Sequence, residues 1–148
     1  MRAKFINESL SKITAFHVSI YPIKKFNPTP AWFTPSRELA HYYYKNIKDE
    51  HSEAYVYKVE IKGDILTFNE LEEICSKIEI DVYDLVADLT ANPSVKEIEY
   101  LTKNIKIYCN CDGFYMNDYD PRDNYKDVES ILVFDPEKNV TIIKYIND

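Results

Sequence analysis

His17 sits in the run TAFHVSIY, and one proline-rich loop later three consecutive tyrosines, Tyr42, Tyr43 and Tyr44, follow on a stretch patterned as a helix. A strand histidine offers one directional hydrogen bond, and a tyrosine ring offers a flat stacking surface. Other chemistries fit the chain less well. It has no G-x-S-x-G elbow for a serine nucleophile, and His17, His41 and His51 are not spaced as metal ligands on a helix. The pair Cys109-Asn110-Cys111 is one residue shorter than a usual zinc knuckle and has no companion pair, so these two and Cys75 are expected to be reduced thiols. Only two glycines occur, Gly63 and Gly113, whereas a phosphate-cradling loop needs two or three within a few residues. If a nucleotide binds, side chains must hold it. What remains is the His17 stretch, the tyrosine helix and a carboxylate near the C-terminal end.

The elements that must position these residues are legible in outline. Residues 14 to 21 alternate as a strand; Pro22, Pro28 and Pro30 then impose a loop to about Ala31, and AWFT is a short second strand. Thr34 followed by Pro35 reads as a helix start, with the helix running to about Ile47 and Leu39, Ala40, Tyr43 and Tyr44 on one face. AYVYKVEIKG alternates, Tyr55, Tyr57, Val59 and Ile61 on one side, and DILTF extends the sheet after Gly63. Asn69 with Glu72 resembles a capping box opening ELEEICSKI; DVYDLVADLT and, after Ser94 with Glu97, VKEIEYLTKN complete a helical insert at about 69–103. Four strands then follow, IKIYC, GFYMN, ESILVF and VTIIKYI, the last two expected as a hairpin through DPEKN, with an acidic loop DYDPRDNYKDV between the second and third. Strand, helix, strand, helices and then strands describe an α+β chain, expected as one domain over 1–148.

Composition narrows the partners. With 18 Lys and Arg against 25 Asp and Glu, the net charge of −7 disfavours direct binding to nucleic acid or anionic membranes and suits a partner with a basic surface. No apolar run is long enough to cross a bilayer. MRAKFINESLSKI has neither an apolar core nor a small-residue cleavage site, so the expected compartment is the cytoplasm.

Three stretches together resemble a known family. Phe16-His17-Val18-Ser19, then Trp32-Phe33-Thr34-Pro35-Ser36-Arg37-Glu38-Leu39-Ala40-His41-Tyr42-Tyr43, then Glu129-Ser130-Ile131-Leu132-Val133-Phe134-Asp135-Pro136 are similar to the core motifs of the ADP-ribosyltransferase fold. The branch is the His-Tyr-Glu one, diphtheria-toxin-like and poly-ADP-ribose-polymerase-like. The resemblance covers roughly the first 62 residues and the last 40 or so, in the family's order, and leaves the helical middle unmatched.

The resemblance implies a split β-sheet core and NAD as co-substrate. It implies mono-ADP-ribosyl transfer to a protein after cleavage of the nicotinamide-ribose bond. By the same analogy His17 holds the adenine-side ribose, Ser19 and Thr34 help to bind the cofactor, and Tyr43 stacks on nicotinamide, with Tyr42 or Tyr44 as alternatives one register away. Glu129 would stabilise the cationic ribose, with Asp118, Asp123 and Asp127 competing for that role. Tyr119, Arg122 and Tyr125, in the segment before Glu129, would meet the acceptor. A small effector acting on host or defence proteins, phage-encoded as anti-CRISPR enzymes of this fold are, is the context implied. Val18 stands where the family often has glycine, and a binding protein that has lost catalysis and blocks a partner is the alternative. RNA-terminal phosphate transfer by a related branch wants basic side chains that this acidic chain lacks. Taken singly, His17 reads as a packed core residue, the tyrosines as packing with wet hydroxyls, Glu129 as a solvent-facing strand start, and His41 and His51 as surface residues.

Overall fold

A computed structural model describes residues 11–51, 53–120 and 123–146. Strands β1 (Ser11–Ser19), β3 (Tyr55–Gly63) and β7 (Val140–Ile146) form one sheet in the order β1-β3-β7; β2 (Ala31–Phe33), β6 (Asp123–Val133), β5 (Gly113–Asp120) and β4 (Ile65–Leu66) form another in the order β2-β6-β5-β4. Helix α1 (Arg37–Glu50) lies between β2 and β3 in sequence. Helices α2 (Phe68–Lys77), α3 (Val82–Thr90) and α4 (Val95–Cys109) fill the middle, and one helical turn, α5 (Pro136–Asn139), precedes β7. The mixed α+β class expected from the sequence is what is found.

Among the described residues one backbone bridge joins the two sheets: Phe16 and Thr34 exchange both backbone hydrogen bonds, at 2.8 and 3.0 Å. Partners directly opposite on antiparallel strands point to the same side, so this bridge fixes which faces are shared. Phe16 shares a side with Thr34. Thr34 alternates with Trp32 on the same side; Trp32 faces Leu132, and Leu132 faces Phe114. On that side α1 packs on Phe16, Val56 and Ile146, while α2, α3 and α4 pack on Phe114, Met116 and Leu132. The opposite side buries Ala15, Phe33, Tyr57, Val59, Ile61, Ile131 and Val133 from both sheets, closed by Phe26 from the 22–30 loop. The Ile23 amide donates to the Tyr57 hydroxyl at 2.7 Å and ties that loop down.

Several boundaries differ from the sequence reading. IKIYC is not a strand: Ile98, Thr102, Ile105 and Cys109 form one buried helical stripe, so α4 continues through it. The run alternates Ile, Lys, Ile locally, which mimics a strand when read without the preceding turns. Helix α1 is capped by Ser36, whose Oγ accepts from the Leu39 amide at 3.1 Å; Thr34 stays extended and accepts from the Ser36 amide. Thr67 with Glu70, not Asn69 with Glu72, forms the capping box of α2, whereas Ser94 with Glu97 caps α4 as expected.

DILTF does not extend the first sheet: Ile65 and Leu66 pair parallel to β5 in the second. DPEKN makes a helical turn rather than a hairpin, because β7 pairs with β3 and β6 with β2 and β5. Most of the expected acidic loop is strand, in the long arms of β5 and β6. The sulfurs of Cys109 and Cys111 are paired across Asn110, whose φ of 51° is left-handed, which corrects the expectation of independent thiols; Cys75 alone is free, and burial pushes its thiol up to about 11.

Gly113 begins β5 where it crosses β6, and a Cβ there would run into the Leu132 carbonyl oxygen. Because that atom is backbone in a central strand, it has no rotamer by which to give way. Gly113→Ala is therefore expected to lower stability by about 1–3 kcal/mol, the usual cost of overpacking, read as an earlier urea midpoint with an unchanged slope. A midpoint equal to wild type would show that β5 and β6 are less tightly apposed.

Candidate functional site

A cleft of about 730 Å³ opens on the helical side of the sheets, between α1 and the α3–α4 pair, over the junction of β1 with β2. Its floor comes from Phe16, His17 and Val18 of β1, Trp32 and Phe33 of β2 with Thr34 after it, and Met116 and Ser130 from β5 and β6. Tyr43 and Ile47 of α1 form one wall; Asn92, Pro93, Val95 and Ile98 form the other. The three stretches that carry the family resemblance thus border one cavity, although the first and last are more than a hundred residues apart in the chain.

Tyr43 reaches the cleft because α1 presents Leu39, Ala40 and Tyr44 to the sheet and leaves Tyr43 at the edge of that face, 37% exposed. Its ring meets Tyr42 edge-on at 6.0 Å between centroids. Tyr44, offered as an alternative, is turned into the packing of α1 against β1 and β3, and its hydroxyl accepts from Lys48 Nζ at 3.0 Å; it does not line the cleft. Thr34 is 7% exposed, held by the bridge to Phe16. Ser19 lies beyond the cleft, its Oγ accepting from the Tyr21 amide at 3.0 Å.

His17 borders the cleft, yet its ring is committed elsewhere. Nδ1 lies 2.7 Å from the Trp32 carbonyl oxygen, an acceptor, so Nδ1 carries the proton and Nε2 is the accepting nitrogen of the neutral ring. The ring packs edge-on against Phe26 at 5.2 Å and tilted against Phe33 at 5.1 Å, both members of the inter-sheet core. Burial holds its pKa below the ordinary 6.5, with the hydrogen bond to the Trp32 carbonyl pulling the other way.

Glu129 is exposed and pairs across the sheet with Asn117. Alternation along β6 sends Glu129 to the side of Ile131 and Val133, and the neighbour that lines the cleft is Ser130, opposite Met116. Tyr115, on the same side as Glu129, is raised in pKa by burial first and by the Glu129 charge second. Among the described residues lining the cleft there is no carboxylate. Asp118, Asp123, Asp127, Tyr119 and Tyr125 belong to the β5–β6 arms, and Arg122 lies outside the described residues.

Sequence reasoning missed Ser130 and the helical wall. The run SILVF is apolar on both faces, so its periodicity does not tell which residue of the Glu129-Ser130 pair faces the cavity; the pairing of Leu132 with Trp32 does. The α3–α4 wall carries no chemical signature at all. Among the described residues no group of histidine, cysteine and acidic side chains could hold a metal ion, and no helix is long and apolar enough to cross a membrane.

No protein-family model, curated protein or solved structure matches this chain.

The depressed His17 pKa links stability to pH with a definite sign. The unfolded histidine takes a proton near pH 6.5 while the folded one still resists it, so stability is retained above that pH and falls as acidification proceeds towards the lower folded value. NMR titration of the His17 ring is expected to give a midpoint below 6.5, and His17→Gln is expected to flatten part of the decline in urea midpoint between pH 7 and 5. A ring midpoint above 6.5 would contradict the buried, neutral assignment.

Proposed function

We propose that the chain binds NAD in this cleft as a protein of the ADP-ribosyltransferase type, and that the activity served is mono-ADP-ribosyl transfer to a protein acceptor. The observation that carries the reading is the convergence of the Phe16-His17-Val18, Trp32-Phe33-Thr34 to Tyr43, and Ser130 segments on one cavity at the junction of two sheets. The cavity has the resources of a glycine-free nucleotide site: aromatic side chains Trp32 and Tyr43 to stack on planar rings, and Thr34 and Ser130 hydroxyls to meet sugar or amide groups. In transfer, the nicotinamide-ribose C–N bond breaks with its electron pair leaving on nicotinamide. The acceptor nucleophile then bonds to the ribose carbon and gives up its proton. A carboxylate beside that carbon lowers the barrier; the resemblance assigns this role to Glu129, whose side chain stands on the face of β6 away from the cleft, so transfer requires Glu129 to reach round the strand edge or another acid to enter the site. The −7 charge suits a basic acceptor surface.

A second reading, a binding protein of the same type without transfer, is favoured by a specific observation. Ser130, not Glu129, lines the cavity, and no carboxylate does so among the described residues. A site of this kind would hold a nucleotide or a partner group and leave the glycosidic bond intact.

Trp32 is the chain's one tryptophan and lines the cavity, so its fluorescence reports occupancy directly. Titration with NAD is expected to quench it, and Tyr43→Ala to weaken binding about tenfold, the loss of stacking and of buried ring area together. Nicotinamide release that is abolished by Glu129→Gln with NAD binding retained identifies transfer. Binding without release in either protein identifies the second reading. Absence of both an NAD-dependent fluorescence change and nicotinamide release would overturn the two together.

A further inference from the structure

Helix α4 carries two parallel stripes. Ile98, Thr102, Ile105 and Cys109 are buried against the sheet. Lys96, Tyr100, Lys103 and Ile107 repeat the same spacing two residues earlier, which is about 200° around the helix, and so face outwards. The outward face of a surface helix is ordinarily polar. Here Tyr100 is 80% and Ile107 70% exposed. They stand on the rim of a groove of about 790 Å³ between α4 and the 22–30 loop, whose Pro28 and Pro30 form the other rim, with Phe134 also lining it.

Among the described residues the groove carries two lysines against one glutamate, Glu99. Lys103 and Lys106 line it, Lys106 Nζ sits 5.7 Å from the centre of the Phe134 ring, and Lys96 extends the same face. In a chain with 25 acidic residues against 18 basic ones, none of these three lysines has a carboxylate partner among the described residues, Glu99 in the same groove included. Unpaired ammonium groups flanking exposed apolar side chains are complementary to acidic groups flanking apolar anchors.

We infer that the α4 groove docks an acidic peptide segment of a protein partner, its aromatic or aliphatic side chains seated among Tyr100, Ile107 and the two prolines and its carboxylates on Lys103 and Lys106. The inference rests on α4 and the 22–30 loop and not on the NAD reading. Because Pro30 lines both the groove and the cleft, a partner held here lies beside the cleft mouth.

A phage-displayed random dodecapeptide library selected on the intact chain supplies the probe. Selected peptides are expected to be enriched in Asp and Glu together with aromatic or aliphatic residues. As fluorescein-labelled synthetic peptides they should bind more weakly by about tenfold or more to K103E/K106E, and likewise to Y100A/I107A. Circular dichroism melts close to wild type establish that these exposed substitutions leave the fold intact, and Tyr43→Ala is expected to leave peptide affinity unchanged. Selections that rise no higher than the library background, peptides without acidic enrichment, or equal affinity for K103E/K106E would each overturn the inference.

Discussion

Two backbone hydrogen bonds between Phe16 and Thr34 are the joint on which the rest of the molecule turns. They are the place where the β1-β3-β7 sheet is continuous with the β2-β6-β5-β4 sheet, and they set which side of one counts as the same side of the other. Through them α1 and the α2–α4 layer come to lie on a common side with a gap between them, and that gap is the cleft. The next residue along β1, His17, adds a third tie across the joint by donating Nδ1–H to the Trp32 carbonyl. His17 therefore fastens the two sheets together, its ring buried against Phe26 and Phe33.

The described residues lining the cleft carry no charge, and burial keeps His17 at its edge neutral. A site of this character selects flat, neutral groups through contact and hydroxyl hydrogen bonds, and keeps the charged parts of a larger ligand near the mouth. On the reading proposed above, the difference between a transferring and a merely binding protein comes down to a single step along β6. Glu129 and Ser130 are adjacent, their side chains point to opposite sides, and the one beside the cavity is the hydroxyl.

How far the sequence was legible varies with how local the deciding physics is. β1, β3 and α3 are readable from alternation, helical spacing and turn residues within a dozen positions, and the Ser94-Glu97 box announces α4 at its true start. The motifs bring Thr34 and Tyr43 to one cavity, whereas the His17 ring, next along β1 from Phe16, turns to the other face and packs on Phe26 and Phe33. What failed was decided by distant partners. Whether VTIIKYI pairs with ESILVF or with AYVYKVEIKG depends on which edge is open, and α5 sends it to β3. IKIYC has strand-like residues, but its burial stripe is set by the sheet beneath α4. Likewise Tyr44 rather than Tyr43 is buried because α1 sits on β1 and β3 at an angle that no local spacing encodes.

The three middle helices are each closed by their own side chains: the Thr67 and Ser94 boxes, and Asp81, which accepts from the Tyr83 and Asp84 amides. Their structure is specified within a few residues, whereas β3 finds β7, and β2 finds β6, only after roughly eighty to a hundred residues of chain have been drawn into a loop. Closing such loops costs entropy before any contact repays it, and topologies rich in distant pairings fold slowly for that reason. In this chain the order of assembly follows: helical turns and the short β1–β2 bridge between Phe16 and Thr34 form early as local nuclei, and the β2–β6 and β3–β7 pairings, which close the long loops, mature late.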